Sequence, residues 1–564
     1  MVAIDPYTTV QTDSALPPAS KTSWRFGDLS AAELMPHLQQ HLLEQDSNAN
    51  WQLVWLNNDG QPVIGLLPKM SWCVYPLAND TGHSAQQASL YKVEKTCRTV
   101  FSDSGNASDD DSNNASVTGY MSYSDWQEEL IIYSQHYNNS DASILANKYS
   151  QQPSYHHGLI GFISYDIAAH ELSPTANIEM ATQPCALLGH YDIYLMLDAE
   201  QQNWQLKVNN DNNNFDSSSV QHHTNSLVAM LISYLYSLDN HLSNENINKK
   251  QPNKILPLLL QAQWSKQQYQ QAFQQTQDYL QQGDCYQINL TQAWNGYLSA
   301  YDNKSVTSLI DYLPALHANT QAPFAGYVAV GNFNDDDGTD TAKHPFELLS
   351  CSPELFFTFS TDVKTGKHHI RTKPIKGTMP RGSTTEQDND YKQQLVNSEK
   401  DRAENVMIVD LLRNDLGKYA KIGSVKVPQL FAIESFSNVH HMVSTITAEL
   451  KNDTHPLSVL FGSLPAGSIT GTPKKRAVEI IAELEAAPRG AYCGTMGYMN
   501  FDGSGQWNVL IRTLQATSAA DNSKQVSLWA GGGITVASDC DAEYQECLDK
   551  VGNLLSVLAK ASNR

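Results

Sequence analysis

The stretch TKPIKGTMPRG, residues 372–382, sets one lysine, Lys376, between Pro374 and Gly377. Proline fixes its own φ and pushes the preceding residue toward extended geometry, while glycine permits bends that other residues resist. The segment reads as a strand end or tight turn that holds one ammonium in place. Such a lysine can be a solvated loop charge, a clamp for an anion, or a nucleophile. The last use makes a demand. A free lysine has a pKa of ~10.4, so only about one in a thousand is neutral near physiological pH. A closed, partly apolar pocket can supply the difference.

Carboxylates supply a second set of chemical groups. Asp401 and Glu404, and again Glu543 and Glu546, stand at i, i+3 spacing, which puts each pair on one helix face; Lys550 lies a turn beyond the second pair. Met407, Ile408 and Leu411 follow on the side of Glu404, so its carboxylate points along an apolar stripe, which is costly unless it is paired or bound to a cation. Two such carboxylates with substrate oxygens and water suit Mg²⁺. Salt bridging to Lys400, Arg402, Arg413 and Lys550 is the competing reading, and spacing alone leans toward it.

Other stretches are more ambiguous. Glu354, in ELLSCSPELFF (347–357), is close enough in sequence for a hairpin to set it beside Lys376 as an acid–base partner; a surface pair is the duller alternative. His440 and His441 sit in the strand-like NVHHMVSTI, where alternation turns one inward and one outward. Without HExxH or nearby cysteines they do not suggest zinc. AGGGIT (530–535) follows a strand and has bare amides that could hold a carboxylate. GSITGTPKKRA (467–477) resembles a phosphate loop only loosely, and on its own each reads as a turn.

The elements that must position these groups are mixed helices and strands without βαβ alternation. They predict an α+β fold, with large antiparallel sheets and helices packed outside. The helix over 265–283 is bounded by a capping box, Ser265 and Gln268, and by Gly283. Another spans 397–415, ended by Gly417, and a last one starts near Asp541. Asp59-Gly60 predicts a hairpin turn. Texture divides the chain into an N-terminal region, 1–257, and a denser region, 258–562. Asn/Asp/Ser-rich tracts at 103–116, 209–219, 239–253 and 332–345 read as solvated loops.

Lys and Arg total 37 against 59 Asp and Glu, a formal charge of −22. That argues against nucleic acid and anionic membranes as partners. The chain start lacks a basic segment followed by an apolar run, and no stretch is long enough to span a bilayer, so a cytoplasmic location is expected. The eight cysteines form no CxxC pair and read as reduced thiols. An anionic substrate would need positive potential built locally against the overall charge, by a cation or an Arg/Lys cluster.

Taken in order, GDCYQINL, SPELFF, RTKPIKGTMPRG, NSEKDRAENVMIVDLLRNDLG, VHHMVSTI, GSITGTPKKRAVEIIAELE, YCGTMGY, IRTL, AGGGI and AEYQECLDKV resemble the chorismate-utilising enzymes over about residues 260 to 560. GLIGFISYDIAAHE is similar to the N-terminal region of that family. Its anthranilate synthase members carry alanine at the position of Lys376, whereas its aminodeoxychorismate synthase members carry PIKGT, as here. The resemblance implies that Lys376 attacks C2 of chorismate, that Glu354 helps the C4 hydroxyl leave, and that ammonia then takes C4. It implies Mg²⁺ on Glu404 and Glu546, with Asp401 and Glu543 as outer partners. It places Tyr498, Arg512, Gly532 and Lys550 around the substrate carboxylates, His441 in the pocket and Thr470 in a substrate-facing loop. It further implies ammonia from a separate glutaminase subunit, since no Cys-His-Glu amidotransferase pattern is present. Anthranilate synthase component I and a chorismate-binding protein without turnover are the alternatives. Cys547 stands where the family usually has threonine, and LLEQDS (42–47) resembles the family's tryptophan-inhibitor motif only faintly, a helix end being the plainer reading.

Overall fold

The computed structural model describes residues 23–45, 51–77, 89–98, 114–138, 153–198, 202–209, 217–244, 255–298, 300–301, 305–306, 308–330, 346–362, 364–435, 439–485, 487–518 and 523–560. Within them, two twelve-stranded antiparallel sheets form a sandwich with helices on its outer faces, as the sequence predicts. Between the sheets lie Leu56, Val328 and Leu348 from one and Ile160, Phe162 and Met496 from the other. The outer faces bury Leu34, Leu231, Leu313 and Leu554 on one side, and Trp126, Ile408, Leu412 and Leu460 on the other. This is the hydrophobic solution for sheets that are apolar on both faces.

The division near residue 257 is one of sequence texture. In space the two regions interleave: Val54–Leu56 pairs with Gly326–Val330 in the first sheet, and Gly158–Ile163 pairs with Thr495–Asn500 in the second. Several predicted elements stand where the sequence puts them. The helix Lys266–Gln282 has both hydrogen bonds of its capping box and ends at Gly283 with φ 84. The C-terminal helix spans Cys540–Ala559. Val54–Leu56 and Val63–Gly65 form the hairpin around Asp59-Gly60. The helix Ala31–Gln45 takes in residues 42–45 of LLEQDS. Residues 46 and 47 and most of the polar tracts lie outside the described residues. Two tracts are less irregular than expected, because the helix Ser217–Asn244 enters the second and third from either side. Asn114–Ser122 likewise starts a strand inside the first.

The second sheet carries Lys376. Its strand, Ile375–Pro380, pairs with Val439–Glu449, as does the preceding His368–Thr372 on the same side of that strand. Together they form one long path bent at Lys373-Pro374. Gly377 is no turn: it is a β-bulge within the strand, with φ 76, and the register slips between Lys376 and Thr378. A Cβ there would come within 2.8 Å of Asp401 Cγ and 2.7 Å of Leu395, so the glycine also lets the helix Glu399–Gly417 approach. Among the described residues no helix is long and apolar enough to cross a membrane.

Candidate active site

Three elements meet at Lys376. The helix Glu399–Gly417, capped by Ser398, covers the strand and brings Glu404 against it: Lys376 Nζ lies 3.6 Å from Glu404 Oε2. Both side chains are largely buried. The C-terminal helix lies against the strand Lys524–Ile534, held by the Cys547 thiol, which donates to the Ala530 carbonyl at 3.1 Å. Burial pushes that thiol up to about 12, so it stays protonated and serves as a donor. This helix supplies Glu543, Glu546 and Lys550. Lys550 Nζ donates to the Gly531 carbonyl at 2.8 Å and pairs with Glu546 at the same distance.

Glu354 reaches Lys376 through the hairpin that joins Leu355–Thr361 to His368–Thr372. Its register, Thr358 opposite Arg371, puts Glu354 opposite Ile375 when carried on toward the chain's bend. The carboxyl is buried, and burial raises its pKa to about 7 against the opposing pull of Lys376, Lys550 and Arg512. Arg512 sits in left-handed backbone, φ 52, with its carbonyl pinned by the Cys351 N–H at 3.0 Å. Burial lowers the pKa of its guanidinium, while Cys351 and Glu354 oppose that shift. His441 bonds Thr378 Oγ1 through Nδ1 at 2.8 Å; burial and then Arg512 push it down to about 4, so it is neutral at pH 7.

The expectation of one inward and one outward histidine fails. Both are buried, because both faces of this strand are covered. His440 faces the opposite side, toward Asp388 at 2.9 Å. That aspartate belongs to a helix, Thr385–Asn397, that the sequence reading missed.

The four acids surround a gap bridged by lysines. Lys400 Nζ reaches Glu543 at 3.1 Å and Glu404 at 3.9 Å, tying the two helices together, and Ser538 donates to Glu543 at 2.8 Å. Asp401 rests beside Gly377. Of the salt bridges expected from spacing, those of Lys400 and Lys550 form. Arg413 instead pairs with Asp410, and Arg402 lies over the Phe431 ring at 5.0 Å. Burial raises the pKa of Glu404. At Glu546 burial acts in the same sense, but Lys550, Lys400 and Lys376 outweigh it and the pKa falls.

Two features fit a hard cation. Glu404 Oε1 is buried and has no hydrogen-bond partner. Gly532 leaves open a space that a Cβ would fill, 2.9 Å from Glu543 Oε2 and 4.0 Å from Glu546 Oε1. Among the described residues no three His, Cys, Asp or Glu side chains already form a metal-binding group. The glycine run is not a loop after a strand, as the sequence suggested. It lies inside the strand Lys524–Ile534, paired with Gln287–Leu298, and Gly531 is required because a Cβ would sit 2.1 Å from the Leu290 carbonyl.

Two expected pocket residues spend their hydroxyls on backbone carbonyls. Tyr498 is buried between the sheets, donates to the Pro153 carbonyl and packs on Tyr155 at 5.7 Å. Thr470 is fully buried and its hydroxyl donates to the Ala466 carbonyl at 2.8 Å. GSITGTPKKRA forms a short helical turn, the two-residue strand Gly471–Thr472 and the start of a helix, where Lys474 pairs with Asp415 at 2.7 Å. Residues that sequence reasoning missed are Ser538 and Thr378, and also the cross-helix reach of Lys400. Only the i, i+4 spacing of Lys400 and Glu404 signalled the last.

A sandwich of this kind with buried acids and lysines at one end defines a class. Residues 98–556 match the model of the chorismate binding enzyme family, and the chain belongs to that family. The aminodeoxychorismate synthase component 1 of Escherichia coli is 37% identical over 404 residues, which span 72% of this chain and 77% of the relative. The protein of the same name from Bacillus subtilis is 29% identical over 71% of this chain and 76% of its own length. The fold is shared with anthranilate synthase component I from Streptococcus pneumoniae (TM-score 0.59, 21% identity, 87% of this chain and 91% of that one).

Proposed function

We infer that this chain is the chorismate-aminating component of an aminodeoxychorismate synthase, a transferase reaction that turns chorismate and ammonia into 4-amino-4-deoxychorismate and water. The reading is supported by the names of the relatives. The observation that carries it is one buried primary amine, Lys376, beside a buried carboxyl, Glu354, that is half protonated near pH 7. In this reading the lone pair of Lys376 Nζ forms a bond to C2 of the ring. The double-bond electrons shift and the C4 hydroxyl departs as water with the proton of Glu354. Ammonia then bonds C4 and passes a proton back to the Glu354 carboxylate, and the double-bond electrons shift back as the lysine amine is expelled from C2. Arg512, Lys550 and neutral His441 hold the substrate's carboxylates and ring. Mg²⁺ held by Glu404 and Glu546, with Asp401 and Glu543 behind them, would supply positive charge for a carboxylate. Ammonia is assigned to a glutaminase partner, so the chain alone should use ammonium salts but not glutamine.

The deciding experiment separates the 4-amino from the 2-amino product after incubating the chain with chorismate, Mg²⁺ and ammonium. The 4-amino product is expected, and the 2-amino product would reject the reading. Intact-protein mass spectrometry of quenched enzyme should show a chorismate-derived adduct that Lys376→Ala lacks. Lys376→Arg keeps the charge but not the nucleophile; near-normal turnover in that variant would reduce Lys376 to an anchor.

A further inference from the structure

A second cluster of cations lies away from Lys376 and has no part in the chemistry above. Toward the end of the second sheet, an open cleft of about 550 Å³ is lined by side chains from four strands and one turn, among them Thr358, Arg371, Thr447, Lys426 and Glu449. Pairing puts them on one face: Thr358 stands opposite Arg371, Arg371 opposite Thr447, and Thr447 opposite Lys426 on its other side. Arg371 precedes Lys376 by five residues on the same path, about 16 Å at strand spacing.

Two atoms in this cleft are unsatisfied. Arg371 Nε and Thr358 Oγ1 are both buried with no hydrogen-bond partner, and they belong to directly paired residues. A buried donor left unpaired is costly, so the pair is poised for an acceptor from outside. Arg371 and Lys426 make no ion pair among the described residues, whereas the one carboxylate in the lining, Glu449, is already held by Lys367 at 3.0 Å and Lys421 at 3.3 Å. On a chain of formal charge −22, this leaves a local excess of positive charge.

We propose that the cleft binds a small dianion: one carboxylate or phosphate on Arg371 and Thr358, and a second acidic group on Lys426. The spacing argues for two groups. Arg371 and Lys426 flank the strand of Thr447, and two strand intervals separate their backbones by about 10 Å, a span that flexible side chains close onto a single small molecule. A guanidinium presents parallel donors that suit a planar oxyanion, and the hydroxyl adds a third donor on its flank. The assignment is independent of what the Lys376 pocket does.

The test uses the full chain with citrate and inorganic phosphate as probes, read by equilibrium dialysis and by thermal shift. Citrate, with more than one carboxylate, should bind saturably and about 10-fold or more tighter than phosphate. Arg371→Ala should weaken citrate at least about 10-fold, and Lys426→Ala severalfold. Arg512→Ala, which alters only the other pocket, should leave citrate binding at the cleft in place. Ammonium-dependent turnover should persist in Arg371→Ala, which also reports that it folds. If that variant does not fold, Thr358→Val, close to the native shape without the hydroxyl, should still weaken citrate measurably. Citrate binding that is unchanged by both Arg371→Ala and Thr358→Val, or lost in Arg512→Ala, would overturn the site. Phosphate binding as tight as citrate would overturn the assignment of two separate acidic groups to the cleft.

Discussion

Two buried charged clusters in this molecule are built alike and completed differently. At Arg489 the guanidinium is 1% exposed and its partner Glu485 is 3% exposed. Arg489 donates to both Glu485 oxygens at 2.8 and 2.6 Å, and to the carbonyls of Ile469 and Asn289. It also lies over the Tyr165 ring at 4.6 Å. Glu485 in turn accepts from the Thr291 amide and hydroxyl. At Lys376 the lysine is 17% and Glu404 12% exposed, the ion pairs stand at 3.6 and 3.9 Å, beyond hydrogen-bond range, and Glu404 Oε1 has no partner. The first cluster is closed: its desolvation cost is offset by hydrogen bonds it already makes. The second leaves capacity that only an incoming group can use. Buried charge alone does not mark an active site; unfinished coordination does.

The sharpest way to break the contrast is to open the closed cluster. Arg489→Met strands Glu485, and breaking one side of a buried pair costs about 3–5 kcal/mol. Urea denaturation should show that loss. A variant as stable as the parent would mean that the cluster is not the structural lock described. The open cluster should behave in the opposite way. Glu404→Gln keeps shape and fold but loses turnover on the order of 10²-fold, with altered Mg²⁺ dependence. An unchanged Mg²⁺ titration would remove Glu404 from the cation site.

A smaller effect concerns protons. If Glu354 donates one, the protonated carboxyl is the active form, and with a pKa of about 7 its contribution to the rate should fall as pH rises through that value. The stability term has the same sign. The folded state holds this proton between about pH 4.5 and 7 while the unfolded chain has released it, so this group's contribution to stability falls as pH rises through that window. Glu354→Gln, which matches the neutral form in shape and charge but has no proton to give, should lose most turnover and flatten the stability trend. A parent and variant with the same melting temperature at every pH would show that burial does not hold the proton.

How much of this was legible beforehand follows a physical line. Local signals carried well: the Ser265 capping box, the hairpin at Asp59-Gly60 and the i, i+3 acids depend only on near neighbours in sequence. Gly377 was visible as a special position, but turn and bulge differ only in what pairs across from them, and the partner strand begins some sixty residues later. The helix Thr385–Asn397 was hidden because its stretch is polar, with only Asp388 and Leu395 buried to declare a face. The two histidines were misread because alternation decides which face a residue takes, not whether that face is covered.

The smallest expected effect tests the same limit. Tyr498 sits in a strand that offers two faces, and sequence placed it on the pocket's side. Its hydroxyl instead donates to the Pro153 carbonyl, and its ring meets Tyr155 in the core between the sheets, where the charge that acts on it is Asp502. Tyr498→Phe therefore removes one buried hydrogen bond and nothing from the chemistry. Stability should fall by about 1 kcal/mol, the net worth of such a bond. Both kcat and KM for chorismate should stay within about twofold, since that corresponds to less than about half a kcal/mol of transition-state stabilisation. The pair of measurements separates the two placements: a hydroxyl touching a substrate carboxylate would raise KM, whereas a hydroxyl that only fastens Pro153 cannot. A KM raised tenfold at unchanged stability would return Tyr498 to the pocket.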